Sequence, residues 1–427
     1  MDLKGKRNYV TAGLLALALL AFSFPGLCRA GEVTCPTASY SDQELAKVRE
    51  WEKTWVGKKV TTESLDQVKE FLSEPVYKAM KNPQTFGAQT LSFDIVAYRP
   101  YTLSKGVIEA TKKYAPNSKL DEKEWLVNFG NVAGYPFPQP KTGVEMAWNF
   151  DGNSRGDTHF VDNMGEVVDC KTKLERHADH LRWDTYWAAR TDLAPIPRIP
   201  EAQNNRGIFR SFFQRHLAPV DFVDTTMLEI RYLDANREED LWVYTAMFRR
   251  IRRYATSQRT DTIDGTDMIY DDQDGWYTPI NLNTYKFLGR ADLLVGRHQD
   301  YNSAQRATGQ GFWNGIQRER VNNWVVEVVN KDKDYIYSKQ IWYLDPENWQ
   351  MNFKVMYNRQ GELWKTYEMF YNEYPTALGQ KVAYMTAEHT IDFIRHHGSP
   401  SKYTIKGISV DIPLTQYQTS SLKEKSY

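Results

Sequence analysis

Between Trp324 and Tyr371 apolar and polar residues alternate with a period of two, broken only by short polar turns. No other pattern in the chain restricts its fold so far, because this period belongs to strands and not to helices. Residues 324–329, 335–344, 349–357 and 362–371 read as strands. Lys331-Asp332-Lys333-Asp334, Asp345-Pro346-Glu347-Asn348 and Asn358-Arg359-Gln360-Gly361 read as turns. Connections this short join antiparallel neighbours, so the segment is a meander. In its third strand Met351, Phe353, Val355 and Tyr357 would share one face, and Gln350, Asn352, Lys354 and Met356 the other. An earlier hairpin pairs 227–233 with 241–248 across an acidic turn. Aromatic residues fall on both faces of several strands, as with Tyr367 and Tyr371 against Trp364 and Phe370. A sheet with one wet face has no need of this. Either helices cover one face or the sheet curls around something apolar.

Before about Phe222 the spacing is mostly helical. Ser41-Asp42-Gln43-Glu44 offers a capping box, followed by Leu45, Val48, Trp51 and Trp55 at steps of three and four. Further helices are expected over 62–71, 75–80 and 104–114, and over 174–189 with Leu181, Tyr186 and Trp187 as the apolar side. Residues 90–97 read as a strand or short helix, and 141–150 as a helix or turn. The prolines of 134–140 and 193–200 hold extended paths. The organisation is then a segment 1–30, a helix-rich region 31–150, a curved antiparallel β domain 151–410 and a tail 411–427.

Lys4, Lys6 and Arg7 precede an apolar run from Val10 to Phe24, and small residues lead to Ala30-Gly31. This is the layout of a secretory signal peptide, with a signal anchor as the alternative. Cys28 raises a lipoprotein alternative, but Leu27 stands where a lipobox wants a small residue. Cutting after Ala30 removes four of the 54 basic and one of the 54 acidic residues, leaving a net charge near −3. No charge bias draws such a chain to nucleic acid. Two cysteines would remain, Cys35 and Cys170; in an oxidising compartment they could pair, or they are unrelated thiols.

Motifs of catalysis are few. There is no Gly-x-Ser-x-Gly elbow and no His-Glu-x-x-His helix, and no cofactor is implied. His177 and His180 lie three apart on an expected helix, where both could face one metal, but nothing sequential completes the set, and a solvated helix face is the alternative. His396-His397 is a weaker case. Asp271-Asp272-Gln273-Asp274-Gly275 lacks the first and last ligands of a calcium loop and reads as carboxylates at a tight turn. Arg249-Arg250-Ile251-Arg252-Arg253 either pairs with Asp261, Asp264, Asp267 or Asp271, or supplies Arg250 and Arg252 to an anionic head group. Trp324, Trp342, Tyr343, Trp349, Phe353, Tyr357 and Trp364 are either core or the apolar wall of a ligand groove. A chain of ~16 carbons would bring roughly 12 kcal/mol gross to such a groove, and micromolar binding requires about 8 net.

Four stretches resemble an exported Gram-negative family, domain of unknown function 1329 (DUF1329). They are 134–149, 242–253 (LWVYTAMFRRIRR in context), 265–276 (GTDMIYDDQDGW) and 324–364, which includes YSKQIWYLDPENWQ and YNRQGELWK. The second-half meander also resembles the LolA-like fold of lipoprotein-sorting proteins. The resemblance implies a strongly curved antiparallel half-barrel with helices plugging its concave face. It also implies periplasmic traffic of hydrophobic material, with an inner-membrane transporter of the resistance-nodulation-division type and an outer-membrane partner. The expectation is a mainly β, non-catalytic carrier of a lipid, lipoprotein acyl chain or other apolar ligand, lidded by helices or by the proline segments 136–140 and 195–200. A carbohydrate-active protein and an adaptor subunit of an envelope complex are the rivals, since aromatic platforms also stack sugars or meet protein.

Overall fold

The computed structural model describes residues 38–152, 155–171, 173–306 and 309–423. The leader, the lipobox position and Cys35 lie outside the described residues, and Cys170 is buried beside Gly311.

The helices are α1 (Asp42–Trp55), α2 (Glu74–Lys81), α3 (Lys105–Tyr114) and α4 (Gly143–Asp151). Two short strands, β1 (Lys59–Val60) and β2 (Phe93–Ile95), lie among them. The first long run of strands is β3 (Thr158–Asp169), β4 (Lys173–His177), β5 (His180–Tyr186), β6 (Ile208–His216), β7 (Thr226–Tyr232), β8 (Asp240–Thr245) and β9 (Arg250–Tyr254). The second is β10 (Asn283–Val295), β11 (Ile316–Asn330), β12 (Lys339–Leu344), β13 (Met351–Tyr357), β14 (Leu363–Pro375), β15 (Lys381–Asp392) and β16 (His397–Ile408). The capping box expected at Ser41–Glu44 is formed, and Thr142–Glu145 forms another that starts α4.

All sixteen strands belong to one sheet, and the two meanders join where β16 pairs antiparallel with β3. Thirteen strands form an unbroken antiparallel run, β10-β11-β12-β13-β14-β15-β16-β3-β5-β6-β7-β8-β9. The described sheet does not close: β9 is one edge, and β10 with the short β1 forms the other, giving the open half-barrel expected from the resemblance.

Residues 174–189 are not helical. They form β4 and β5, so His177 and His180 stand on different strands, one exposed and one on the sheet's covered side. The helical reading placed only Leu181, Tyr186 and Trp187 on the apolar side and so left Arg182 and Asp184 outside it. Both are buried and paired with each other, and strands covered on both sides erase the polar–apolar alternation that marks a strand.

Both faces of the central strands are covered. On one, Phe353, Val355, Phe370, Ala387 and Ile391 pack against Val60, Leu65, Val68, Val76 and Met80 of the N-terminal segment. On the other, Trp342, Leu344, Met351, Met356 and Met369 pack against α4 and the connection from β9 to β10. Met351 therefore does not share a face with Phe353 and Val355. The register shifts between Tyr343/Leu344, whose partners are Phe353 and Met351, and this bulge turns Met351 to the opposite side. Residues 411–423 are also packed: Tyr417 and Leu422 are buried against β6 and β7.

Phe370 is fully buried where the N-terminal segment meets the sheet. Phe370→Ala is expected to lower unfolding free energy by about 3–5 kcal/mol in urea titration. A loss below ~1 kcal/mol would contradict the two-sided packing.

Candidate functional site beneath the strap

The β9–β10 connection must travel from one edge of the sheet to the other, and it does so across the face that carries α4. This strap holds five aspartates between residues 264 and 274: Asp264, Asp267, Asp271, Asp272 and Asp274. Each is docked on a different part of the protein. Asp264 accepts from His216 of β6 at 2.7 Å. Asp267 accepts from His397 at 2.7 Å and the Ser399 hydroxyl at 2.8 Å, both on β16, and its carbonyl accepts from Lys365 of β14 at 2.7 Å. Asp271 accepts from Tyr335 at 2.7 Å and from Arg259 within the strap at 2.6 Å. Asp272 accepts from Tyr337 at 2.7 Å and from the ammonium of Lys354, on β13, at 2.5 Å. Asp274 accepts two bonds from Arg182 of β5, at 2.9 and 2.5 Å.

These contacts measure the curvature. β13 and β5 are five places apart in the sheet, about 24 Å on a flat one at ~4.8 Å per strand. Their cations meet carboxylates only two residues apart, a span of about 7 Å at most. The sheet therefore wraps around the strap, and this face is the concave one. The strap comes close because Gly275 (φ +94°) has no side chain: a Cβ there would sit 3.3 Å from Met351.

Burial alone would raise the Asp274 carboxyl, but the guanidiniums of Arg182 and Arg155 hold it well below the usual carboxylate range. Burial lowers the Lys354 ammonium against the opposing pull of Asp272. Burial also pushes the His180 imidazole down to about 3, so that it is neutral at ordinary pH.

Between strap and sheet lies an apolar layer. The strap contributes Met268, Ile269, Trp276 and Ile280, α4 contributes Val144, Met146 and Trp148, and the sheet contributes Trp342 and Met351 among others. Six of the chain's eleven methionines are in it: Met146, Met268, Met351, Met356, Met369 and Met385.

The seven aromatic residues singled out from the sequence divide between the two faces. Trp342 and Trp349 are buried in the layer under the strap, with Trp324, stacked on Trp349 at 5.9 Å, and Trp364 at its margin. Tyr343, Phe353 and Tyr357 face the N-terminal segment instead. Arg250 and Arg252 are exposed on the edge strand β9, and they line none of the cavities described below. Arg253 pairs with Asp240 at 2.5 Å. Asp264, Asp267 and Asp271 find the partners named above rather than this arginine cluster. Of the two proline segments, the first packs with α4 on the concave side, where Phe137 is clamped to Asn149 and Tyr135 is buried, while 194–196 of the second are exposed.

The concave face is present, and among the described residues side chains of the strap and α4 cover it. A cavity of about 50 Å³ lies between His180, Arg182, Gln214, Asp274, Glu388 and Tyr403. That is space for a few waters, each needing roughly 10–15 Å³. A cleft of about 540 Å³ opens at the β10 end of the strap, among Arg259, Leu282, Asn330, Lys331, Asp332 and Tyr335. An apolar space of about 20 Å³ lies by Leu126, Phe129 and Trp148.

Sequence reasoning missed the strap's ionic docking. The signal was there in Lys354 and Arg182, charges set in strands whose neighbours are apolar on both faces.

Glu388 lines the small cavity and accepts hydrogen bonds from the hydroxyls of Tyr367 and, at 2.6 Å, Tyr403. Burial pushes its carboxyl up to about 7, against the lowering by those two donors. A raised folded value favours the folded state below the unfolded value near 4.5, and this advantage is lost as pH rises toward 7. Glu388→Gln cannot ionise. Its stability relative to the parent should therefore improve by about 2–3 kcal/mol between pH 5 and pH 8 in parallel urea titrations. A difference independent of pH would refute the assignment.

The family model described as "Protein of unknown function (DUF1329)" matches residues 59–423. An uncharacterized protein of Pseudomonas aeruginosa is 25% identical over 348 residues, 74% of this chain and 69% of its own length. Among solved structures, a DUF1329 family protein from Desulfovibrio piger aligns with a TM-score of 0.48 at 12% identity, covering 66% of this chain and 98% of its own. A LolA superfamily protein from Nitrosomonas europaea aligns with a TM-score of 0.39 at 12% identity, covering 66% of this chain and 100% of its own. With nearly the whole described chain inside the matched span, this protein belongs to the DUF1329 family.

Proposed function

We propose that this protein is a non-catalytic carrier of an apolar or amphipathic molecule, taken up between the concave face and the strap. The observation that carries the reading is the mismatch between how the strap is held and what it covers. It is held by Asp272 and Asp274 on Lys354 and Arg182 and by Asp264 and Asp267 on the imidazoles of His216 and His397, and it covers a layer rich in methionine and aromatic rings. Buried ion pairs return little net stability, because desolvation offsets their attraction. A segment tied down this way leaves its seat at less cost than one held by apolar area alone. The layer beneath it suits a guest of variable shape, since methionine side chains repack readily.

When the strap lifts, Lys354, Arg182 and Lys365 lose their strap partners and can receive the anionic end of a guest. This gives the head-group role to the trough's own cations rather than to Arg250 and Arg252. The leader read from the sequence fits work in the periplasm, with loading from an inner-membrane transporter of the resistance-nodulation-division type and delivery to an outer-membrane protein.

The test is organic extraction of natively purified protein followed by mass spectrometry, together with titration of a dansyl-labelled fatty acid. Co-extracted lipid and saturable micromolar binding are expected. Asp274→Asn, which loosens one anchor while Arg182 keeps Asp184, should speed probe uptake by about tenfold, in line with a loss of ~1.4 kcal/mol from the anchoring. No extracted lipid and no saturable uptake by parent or variant would end the proposal.

A further inference from the structure

The β6–β7 and β8–β9 turns lie at the same end of the sheet, because β7 and β8 pair with Thr226 opposite Tyr244. Both turns present large apolar side chains to solvent. Val220 is 84% exposed, Met247 65% and Phe248 64%, with Leu217 and Val223 also exposed. These are protruding tips, not a groove, and exposed apolar residues of this size do not ordinarily gather at hairpin ends. Behind the second tip stand Arg249, Arg250 and Arg252, all exposed and without an ion pair among the described residues. Asp221 and Asp224 of the first tip are the nearby acids in sequence, leaving the pair of tips net basic.

We propose that these two tips dock the protein on an anionic lipid surface. The spacing suits it. Arg250 is two residues behind Phe248 and Arg252 four, at most about 7 and 14 Å of chain. Interfacial apolar groups sink roughly 5–10 Å, which leaves the guanidiniums at the level of the phosphates. Guanidinium pairs with phosphate in a bidentate way that ammonium does not, and every cation in this patch is arginine. A protein partner would call for a flatter apolar patch; tips with a basic collar match a soft, negatively charged surface. The arginines also guard the open edge of β9 against pairing with another strand, a role that exposed charge alone would serve. That role does not account for Met247, Phe248 and Val220.

Docking here does not depend on a cargo, so it can fail while the carrier reading stands. The test is hydrogen exchange of the full chain with vesicles of phosphatidylglycerol and phosphatidylethanolamine, and with phosphatidylcholine vesicles as the uncharged comparison. Amides in 217–224 and 246–250 are expected to slow with the anionic vesicles only, a local readout indifferent to residues 1–37. In co-sedimentation, Met247→Ser with Phe248→Ser should lower partitioning by about tenfold or more. Arg250→Glu with Arg252→Glu should lower it by about fivefold per arginine on anionic vesicles. Parental circular dichroism confirms that each variant folds. Unchanged exchange at both tips overturns the proposal, as does equal partitioning of parent and variants. Protection that requires membrane protein rather than lipid assigns the tips to a protein partner and overturns it equally.

Discussion

Asp272 and Asp274 stand two residues apart and hold cations from strands five places apart, and the rest of the concave face is arranged around that fact. Lys354 and Asp272 are fully buried, and Arg182 and Asp274 nearly so. Such pairs add little to net stability, yet breaking one by removing a single partner costs about 3–5 kcal/mol, because the survivor is left charged and dry. Their effect is therefore on geometry: a sheet curved less, or a strap shifted by one residue, would strand a charge.

The other face is secured differently. There the N-terminal segment adds β2 parallel to β11 and seals the sheet with aliphatic and aromatic side chains. Where the chain leaves this face, Glu347 accepts from the Tyr101 amide at 2.7 Å and from Arg297 at 2.6 Å. Both sides of the sheet are thus closed by apolar contact, and the strap side adds the buried pairs of Lys354 with Asp272 and Arg182 with Asp274. Apolar closure resists reversal, since its gain scales with area removed from water. Closure by ion pairs is reversible at lower cost, because water recovers the charges when they part.

The meander from Trp324 to Tyr371 was legible because its turns are short and its strands alternate. The antiparallel, open sheet followed directly. The β character of 174–189 was not legible, since Arg182 and Asp184 imitate a wet helix face and only their long-range partner, Asp274, reveals that they are buried. The division of the aromatic set was hidden for a similar reason. A single bulge beside Asn352 reverses the facing of Met351 relative to Phe353, and periodicity carries no mark of it. The strap could be seen as a run of aspartates but not as a strap, because its meaning lies in which strands it crosses.

A trough filled by its own chain is compatible with carriage only if the filling can leave without ruin to the core. The composition of the layer bears on this. Were it built of branched aliphatic residues in fixed rotamers, a guest would have to reproduce their shape. Six methionines and the rings of Trp276 and Trp342 impose a looser demand, since thioether chains adjust to the surface offered. A hydrocarbon guest would replace Met268, Ile269 and Trp276 of the strap, and Asp272 and Asp274 would move to water as it entered. Uptake then exchanges one apolar lining for another while the strap's carboxylates recover hydration, so the curved sheet need not change.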